Sequence, residues 1–243
     1  MLSFGLMSGA ASAGPPFRTD DPEPVDYQHW EFYTFTTGTH VGGDTTGALP
    51  AVEFNYGILP NTQFHIIVPV AFNSPLGGPT IFGSGDVELG LKYRFVEQDP
   101  NSELPAVGTF PLIEVPSGSQ SRGLGAGHVS VFLPIWVQKD FGDWTTYGGG
   151  GYWLNKSVEY RSKDYCFFGW LLQRKINKEF SVGGEIFYQT ASAVGGADRV
   201  GFNFGAIYDI DAHNHFLVSV GREFLYGHKT SQYSWYVGWQ ITY

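Results

Sequence analysis

Acidic, basic, amide and imidazole side chains lie at alternate positions in three neighbouring segments, 51–58, 63–73 and 86–96. The residues between them are mostly apolar, so the ionisable groups share one face of each segment. Charged groups gathered on one surface can select solutes by size and charge, or they can pair with one another to hold a wall in shape. Both interpretations stay open. The residues concerned are Glu53, Asn55, His65, Asp86, Glu88, Lys92 and Arg94, and Glu114 and Glu185 extend the set from two later segments.

Nucleophilic catalysis is a second chemistry that the residue types allow. His128 and Ser130 lie two positions apart in an extended segment and share a face, as a lipid-modifying hydrolase of the membrane would need. No acidic residue is placed to orient the histidine, so we predict a protein that is not an enzyme. His213 and His215 have the spacing of metal ligands but lack a third ligand, and we predict neither a metal site nor a cofactor.

The elements that must position these groups are β-strands. In 86–96, Val87, Leu89 and Leu91 face one way while Glu88 and Lys92 face the other. This period of two marks a strand with an apolar environment on one side and a polar one on the other. The predicted strands are 28–38, 49–58, 63–73, 86–96, 106–116, 128–139, 144–154, 165–174, 180–190, 200–210, 215–224 and 232–243.

Composition limits where such strands can lie. Charged residues make up 15% of the chain and aromatic residues 17%, with 33 glycines, whereas soluble chains carry roughly 25% charged residues. No apolar run approaches the roughly 18 residues of a membrane helix, so a membrane-spanning chain of this kind must form a closed barrel. The net charge of −9 argues against a nucleic-acid partner.

Strand length and connection length distinguish a membrane barrel from a soluble sandwich or lipocalin, which also alternates. Ten tilted residues rise roughly 23 Å, close to the apolar band of about 25 Å in outer-membrane barrels. Short connections follow even strands and longer, Gly/Ser/Thr-rich ones follow odd strands, as in those barrels. Trp30, Trp144 and Trp153 lie near predicted strand ends, as interfacial girdles require. The sequence therefore predicts an all-β, transmembrane, antiparallel β-barrel of about 12 strands, surrounded by outer-membrane lipids.

The N-terminal region divides into two segments before the barrel at 28–243. Residues 1–13 end in Ala11-Ser12-Ala13 and are predicted as a signal peptide. Because the apolar stretch is short and has no basic residues before it, either the start is truncated or the segment is not a signal. Residues 14–27, rich in proline and acid, are predicted as a periplasmic segment. A disordered tail is the favoured interpretation, and an element that packs inside the barrel, against the glycine run 148–151, is the alternative.

Four stretches together resemble the phenol-degradation meta-pathway (MetA-type) family of outer-membrane transporters. They are PFRTDDPEPVDYQHWEF, GSGDVELGLKYRF, LIEVPSG and VFLPIWVQKDFGDWTTYGGGGYW, in this order along the chain. The resemblance implies a barrel in the bacterial outer membrane with both termini in the periplasm. It also implies passage of small, hydrophobic or aromatic solutes.

The C-terminal residues resemble the signal that the barrel-assembly machinery reads. Trp239, Ile241 and Tyr243 share one face of the last strand and end in an aromatic residue. An ordinary closing strand would show the same residues. We predict a channel or transporter for small-molecule solutes with a polar lumen, and a lipid-modifying enzyme or a closed structural barrel without a pore are the alternatives. The oligomeric state is left open.

Overall fold

The computed structural model describes residues 15–98, 103–227 and 231–243, and the predicted signal peptide at 1–13 lies outside these ranges. The described residues form antiparallel strands and one short 3-10 turn, Gln120–Arg122. The strands are β1 Trp30–Val41, β2 Asp44–Leu59, β3 Thr62–Ser74, β4 Ile81–Ser84, β5 Val87–Val96, β6 Ala106–Thr109, β7 Leu112–Val115, β8 Ser130–Phe141, β9 Trp144–Leu154, β10 Tyr165–Lys175, β11 Phe180–Gln189, β12 Arg199–Asp209, β13 Asn214–Leu225 and β14 Ser231–Thr242.

The sheet closes on itself through its first and last strands. β1 pairs with β14, from Glu31 opposite Thr242 to Val41 opposite Gln232. β4 and β5 both pair with β3, and β6 and β7 both pair with β8, so each couple forms one interrupted strand. The architecture is a closed barrel of 12 antiparallel strands, as the alternating pattern predicts.

Prolines disturb the ladder where the observed strands depart from the predicted ones. Pro111, which has no N–H to donate, lies in the break between β6 and β7. In β2 the pairing register shifts between Ala48 and Ala51, on either side of Pro50. The bulge lets the strand continue, so β2 begins at Asp44 rather than at the predicted residue 49.

Side chains alternate between the inside and the outside of the barrel. On β8, Phe132 and Trp136 point inward and are 5% and 1% exposed, whereas Leu133 and Ile135 point outward and are each 50% exposed. An apolar outer surface of this kind is the surface that lipid covers in membrane barrels. Among the described residues, no helix is long and apolar enough to cross a membrane.

Connection lengths follow the predicted alternation with two exceptions. Because the strand number is even, both termini lie at one end of the barrel, which we call the terminal end. The first connection at the far end is only Gly42-Gly43, and both glycines have positive φ, as a tight hairpin turn requires. At the terminal end the connection between β5 and β6, residues 97–105, is long instead of short.

Residues 15–26 lie inside the barrel, and we call this segment the plug. Phe17, Thr19 and Asp20 are at most 2% exposed and contact inward-facing strand residues. The expected disordered tail is therefore wrong for these residues, and the alternative of an inward element is the observed arrangement. The plug does not use the glycine run 148–151, where added Cβ atoms would meet β8 and β10.

Candidate functional site

The acidic part of the plug contacts two basic side chains on β5. Lys92 Nζ lies 2.9 Å from Asp20 Oδ1 and 3.2 Å from Asp21 Oδ1. Two residues further along β5, Arg94 forms an ion pair with Glu23. Lys92 is 5% exposed, and a buried charge that loses its partner is strongly destabilising. These pairs therefore fix the plug against this wall.

The opposite wall, formed by β11 and β13, holds the plug through carboxylates. Glu185 Oε2 accepts hydrogen bonds from Thr19 N at 2.7 Å and Thr19 Oγ1 at 2.6 Å, and Oε1 accepts one from Arg18 N at 2.8 Å. The Arg18 guanidinium donates to Glu223 Oε1 at 2.7 Å and to Gln189 Oε1 at 3.2 Å. The plug thus bridges a basic wall and an acidic wall across the lumen.

Inward-facing glycines provide the space that the plug occupies. A Cβ added at Gly169 would lie 2.1 Å from Thr19 Oγ1, and one at Gly183 or Gly205 would lie 2.9 or 2.8 Å from the Phe17 ring. Contacts this short require the plug to shift, because packed interiors do not yield readily. These glycines, which carry no side chain, therefore leave the space in which the plug packs.

Substituting one of these glycines tests the fit. We expect Gly169→Ala to displace Thr19 and to lower the free energy of unfolding by about 1–3 kcal/mol, the usual cost of overpacking. Urea titration of the protein refolded in lipid vesicles measures this loss. The matched control is Gly184→Ala, whose outward Cβ would lie 3.2 Å from the Phe204 ring. Equal effects of the two changes would contradict the proposed packing.

Four of the predicted polar residues form one buried network. Asn55 Nδ2 donates to Glu53 Oε1 at 2.8 Å, and Asn55 Oδ1 lies 2.7 Å from His65 Nδ1. His65 Nε2 lies 3.0 Å from Glu88 Oε1, while Glu88 Oε2 has no partner among the described residues. The His65 ring also packs edge-on against Phe110, with ring centroids 5.1 Å apart. The structure brings these predicted residues together on the inner wall.

Two other predicted residues have hydrogen-bond partners outside this network, although Glu114 lies opposite Glu88 where β5 pairs with β7. Glu114 Oε2 accepts a hydrogen bond from Ser130 Oγ at 2.6 Å. Asp86 lies at the break between β4 and β5, where its carboxylate accepts hydrogen bonds from Gly118 N at 2.9 Å and Ala126 N at 2.6 Å. Its sequence register predicts a wall residue, but β5 begins only at the next residue, Val87. Asp86 instead holds the far-end connection 116–129.

Sequence reasoning offered an inward position of 14–27 only as an alternative, and it identified neither the contacts of the plug nor the carboxylate that receives Arg18. Arg18 is the only cation in 14–27, which is the one signal that could have indicated a partner on the wall. Glu223 lies in the inward register of β13, next to the outward Arg222, and the alternation could have placed it. Neither signal identifies the contact, because that requires the position of the plug.

A row of aromatic side chains lines the inner wall on the far side of the plug. Phe132 stacks on Trp153, with ring centroids 4.8 Å apart, and Trp153 stacks on Tyr165 at 5.7 Å. Trp153 is 5% exposed and faces inward, so its predicted place in an interfacial girdle is wrong. These rings border a cavity of about 30 Å³. Its lining is Arg18, Asp20, Phe110, Leu112, Phe132, Trp136, Trp153, Tyr165, Phe167 and Gln189.

The His128 and Ser130 pair is not arranged as a nucleophile and its base. His128 Nε2 lies 2.8 Å from the Asn155 carbonyl oxygen. Ser130 Oγ donates instead to Glu114, so its proton is directed away from the imidazole. Both side chains have other partners, and the geometry favours a structural role for each.

The C-terminal residues close the barrel at the terminal end. Tyr243 stacks on Trp30 and on His213, with ring centroids 4.9 and 4.5 Å apart. Trp239 points outward and is 39% exposed. Ile241 is paired in the sheet with one residue of β1 and one of β13. Recognition of these residues by the assembly machinery stays a prediction.

Solved outer-membrane barrels share this fold at low sequence identity. The structure of the KdgM porin matches with a TM-score of 0.58 and 11% identity, covering 87% of this chain and 99% of that chain. The NanC porin matches with a TM-score of 0.58 and 10% identity, covering 86% and 98%. The translocator domain of the autotransporter NalP from Neisseria meningitidis matches with a TM-score of 0.55 and 12% identity, covering 88% of each chain.

Sequence comparison gives the family. No curated protein sequence matches the chain. A family model described as "Putative MetA-pathway of phenol degradation" matches residues 28–241, which is nearly the whole barrel. The order and spacing of the four quoted stretches predict the same family. The chain therefore belongs to the family of that description.

Proposed function

We propose that this protein is a channel of the bacterial outer membrane that passes small solutes and that the plug closes in the state described. Passage, rather than catalysis, is the proposed activity. The observation that carries the proposal is the inner wall, where buried ionisable residues converge on a segment of the chain's own N-terminus. A barrel whose only task was mechanical could fill its interior with apolar side chains.

The contacts of the plug are of a kind that can be exchanged. Its polar contacts with the wall are ion pairs and hydrogen bonds that involve wall side chains, and not the backbone pairing of a strand. Water and solute can replace such contacts, whereas they cannot replace a strand. We propose small ring-bearing or hydrophobic molecules as the solutes, in keeping with the family's description.

Solute entry into vesicles tests the proposal. We expect the full chain, refolded into lipid vesicles, to show a small single-channel conductance and slow swelling with a pentose. We expect faster swelling when the plug is weakened by Arg18→Ala. Absence of permeation by both proteins, with intact barrels verified by circular dichroism, would contradict a channel.

Neutralising the buried network tests whether the wall selects solutes. In a chain that lacks the plug, Glu53→Gln with Glu88→Gln should reduce the preference of the current for cations over anions, because two carboxylates leave the lumen. Reversal potentials in a salt gradient measure this preference. Glu159→Gln, which changes an exposed carboxylate in the connection 155–164, serves as the matched control. An unchanged reversal potential in the double variant would assign the network a purely structural role.

A further inference from the structure

The far side of the plug combines three features that point to a bound ligand. The first is the stacked row Phe132, Trp153 and Tyr165, which presents ring faces and edges along β8, β9 and β10. Aromatic rings prefer stacked or edge-to-face arrangements with centroids about 4.5–7 Å apart, so a further flat ring can join this row. The three rings line the cavity of about 30 Å³ next to the plug.

The second feature is the position of the Arg18 guanidinium. Its Cζ atom lies 4.5 Å from the centroid of the Phe187 ring and 5.4 Å from that of Phe167. A guanidinium is planar and stacks on ring faces much as a second ring does. Arg18 therefore lies against two aromatic rings, in a position that we call the aromatic slot, while it pairs with Glu223.

The third feature is an unused hydrogen-bond donor. The indole Nε1–H of Trp136 is buried and has no acceptor among the described residues. Trp136 lines the same cavity and is 1% exposed. A buried donor without a partner is destabilising, so a bound molecule that supplies an acceptor gains an interaction here.

We propose that the lumen contains a binding site for a flat, ring-bearing solute that carries an oxygen acceptor. The oxygen accepts from Trp136 Nε1, and the ring stacks in the slot that Arg18 occupies. A cavity of about 30 Å³ has room for about one water molecule, so a ring enters only as Arg18 withdraws. Binding of the solute and release of Arg18 from Glu223 are thus coupled. The site rests on the proposed function, because it gives that channel a substrate class.

Calorimetry with phenol tests the site on the protein refolded in lipid nanodiscs. We expect saturable binding that Trp136→Phe weakens by about three- to tenfold, the effect of one lost hydrogen bond. Trp170→Phe is the matched control, because Trp170 is an outward residue whose Nε1–H donates to Thr146 Oγ1 at 2.9 Å. Toluene, which has a ring but no oxygen, should bind equally to the wild type and to Trp136→Phe. Arg18→Ala should tighten phenol binding, since it removes the competitor.

The outcomes separate this site from the channel itself. Equal losses in Trp136→Phe and Trp170→Phe, weaker phenol binding in Arg18→Ala, or no saturable binding would each overturn the site. A plug-deleted chain that passes a pentose but binds no phenol would leave the channel standing and remove the site. A chain that binds phenol as described but passes no solute after plug deletion would support the site and overturn the channel.

Discussion

Deleting residues 15–26 should turn a poorly conducting barrel into an open channel. The plug bridges Lys92 on one wall and Glu185 on the other, and the cavity beside it measures about 30 Å³. Barrels of eight strands are filled by side chains and those of 16 strands hold a water channel, so an emptied barrel of 12 strands lies between them. We expect single-channel conductance to rise by about an order of magnitude or more.

The deletion needs a variant that keeps the full chain, because removing a buried segment could impair folding. Glu185→Ala takes away the acceptor of Arg18 N, Thr19 N and Thr19 Oγ1, and we expect frequent openings from it. Planar-bilayer recordings measure both variants, with Glu159→Gln as the control for a lost carboxylate. Folded variants that conduct no better than the full chain would show that the plug does not block the lumen.

Placing a charge on the outer face at mid-strand should strongly destabilise the barrel. Ile135 lies in the middle of β8 and is 50% exposed on the outward face. An arginine facing lipid at the midplane costs about 2–4 kcal/mol, because the bilayer core cannot solvate it. We therefore expect Ile135→Arg to lower the free energy of unfolding by about this amount.

The matched control for this prediction is at the end of the same strand. Phe141 is also outward and 49% exposed, but a charge near the interface costs only about 0–1 kcal/mol. Urea titration in lipid vesicles, followed by tryptophan fluorescence, measures both variants. A similar loss for Ile135→Arg and Phe141→Arg would mean that the apolar outer face has no lipid-embedded centre.

The barrel was predictable from the sequence because a strand with an apolar environment on one face and a polar one on the other alternates apolar and polar residues. Val87, Leu89 and Leu91 alternate with Glu88 and Lys92, and the structure places the two sets on opposite faces. The register depends only on neighbours in the chain. For the same reason the sequence places Glu53, Asn55, His65 and Glu88 on one wall, although not their hydrogen bonds.

The plug and the aromatic row were not predictable in this way. The plug contacts the wall through single side chains such as Arg18 and Thr19, so it has no periodic pattern. An aromatic residue near a strand end fits either a lipid interface or a lumen, and Trp153 belongs to the lumen. Asp86 has the inward register, but a strand break decides its partners. In each case the deciding contact is distant in the sequence.

Two contacts, one across the lumen and one in the barrel wall, each join the N-terminal part of the chain to its C-terminal part. Arg18 and Glu223 are 205 residues apart in the chain, and β1 completes the wall by pairing with β14. Contacts between residues so far apart in the sequence raise the contact order, and the loop-closure entropy must be lost before they form. We therefore expect the pairing of β1 with β14 to form late in folding. Until β13 is in place, Arg18 lacks Glu223, so every folding chain passes through a stage in which its lumen is not yet fully closed.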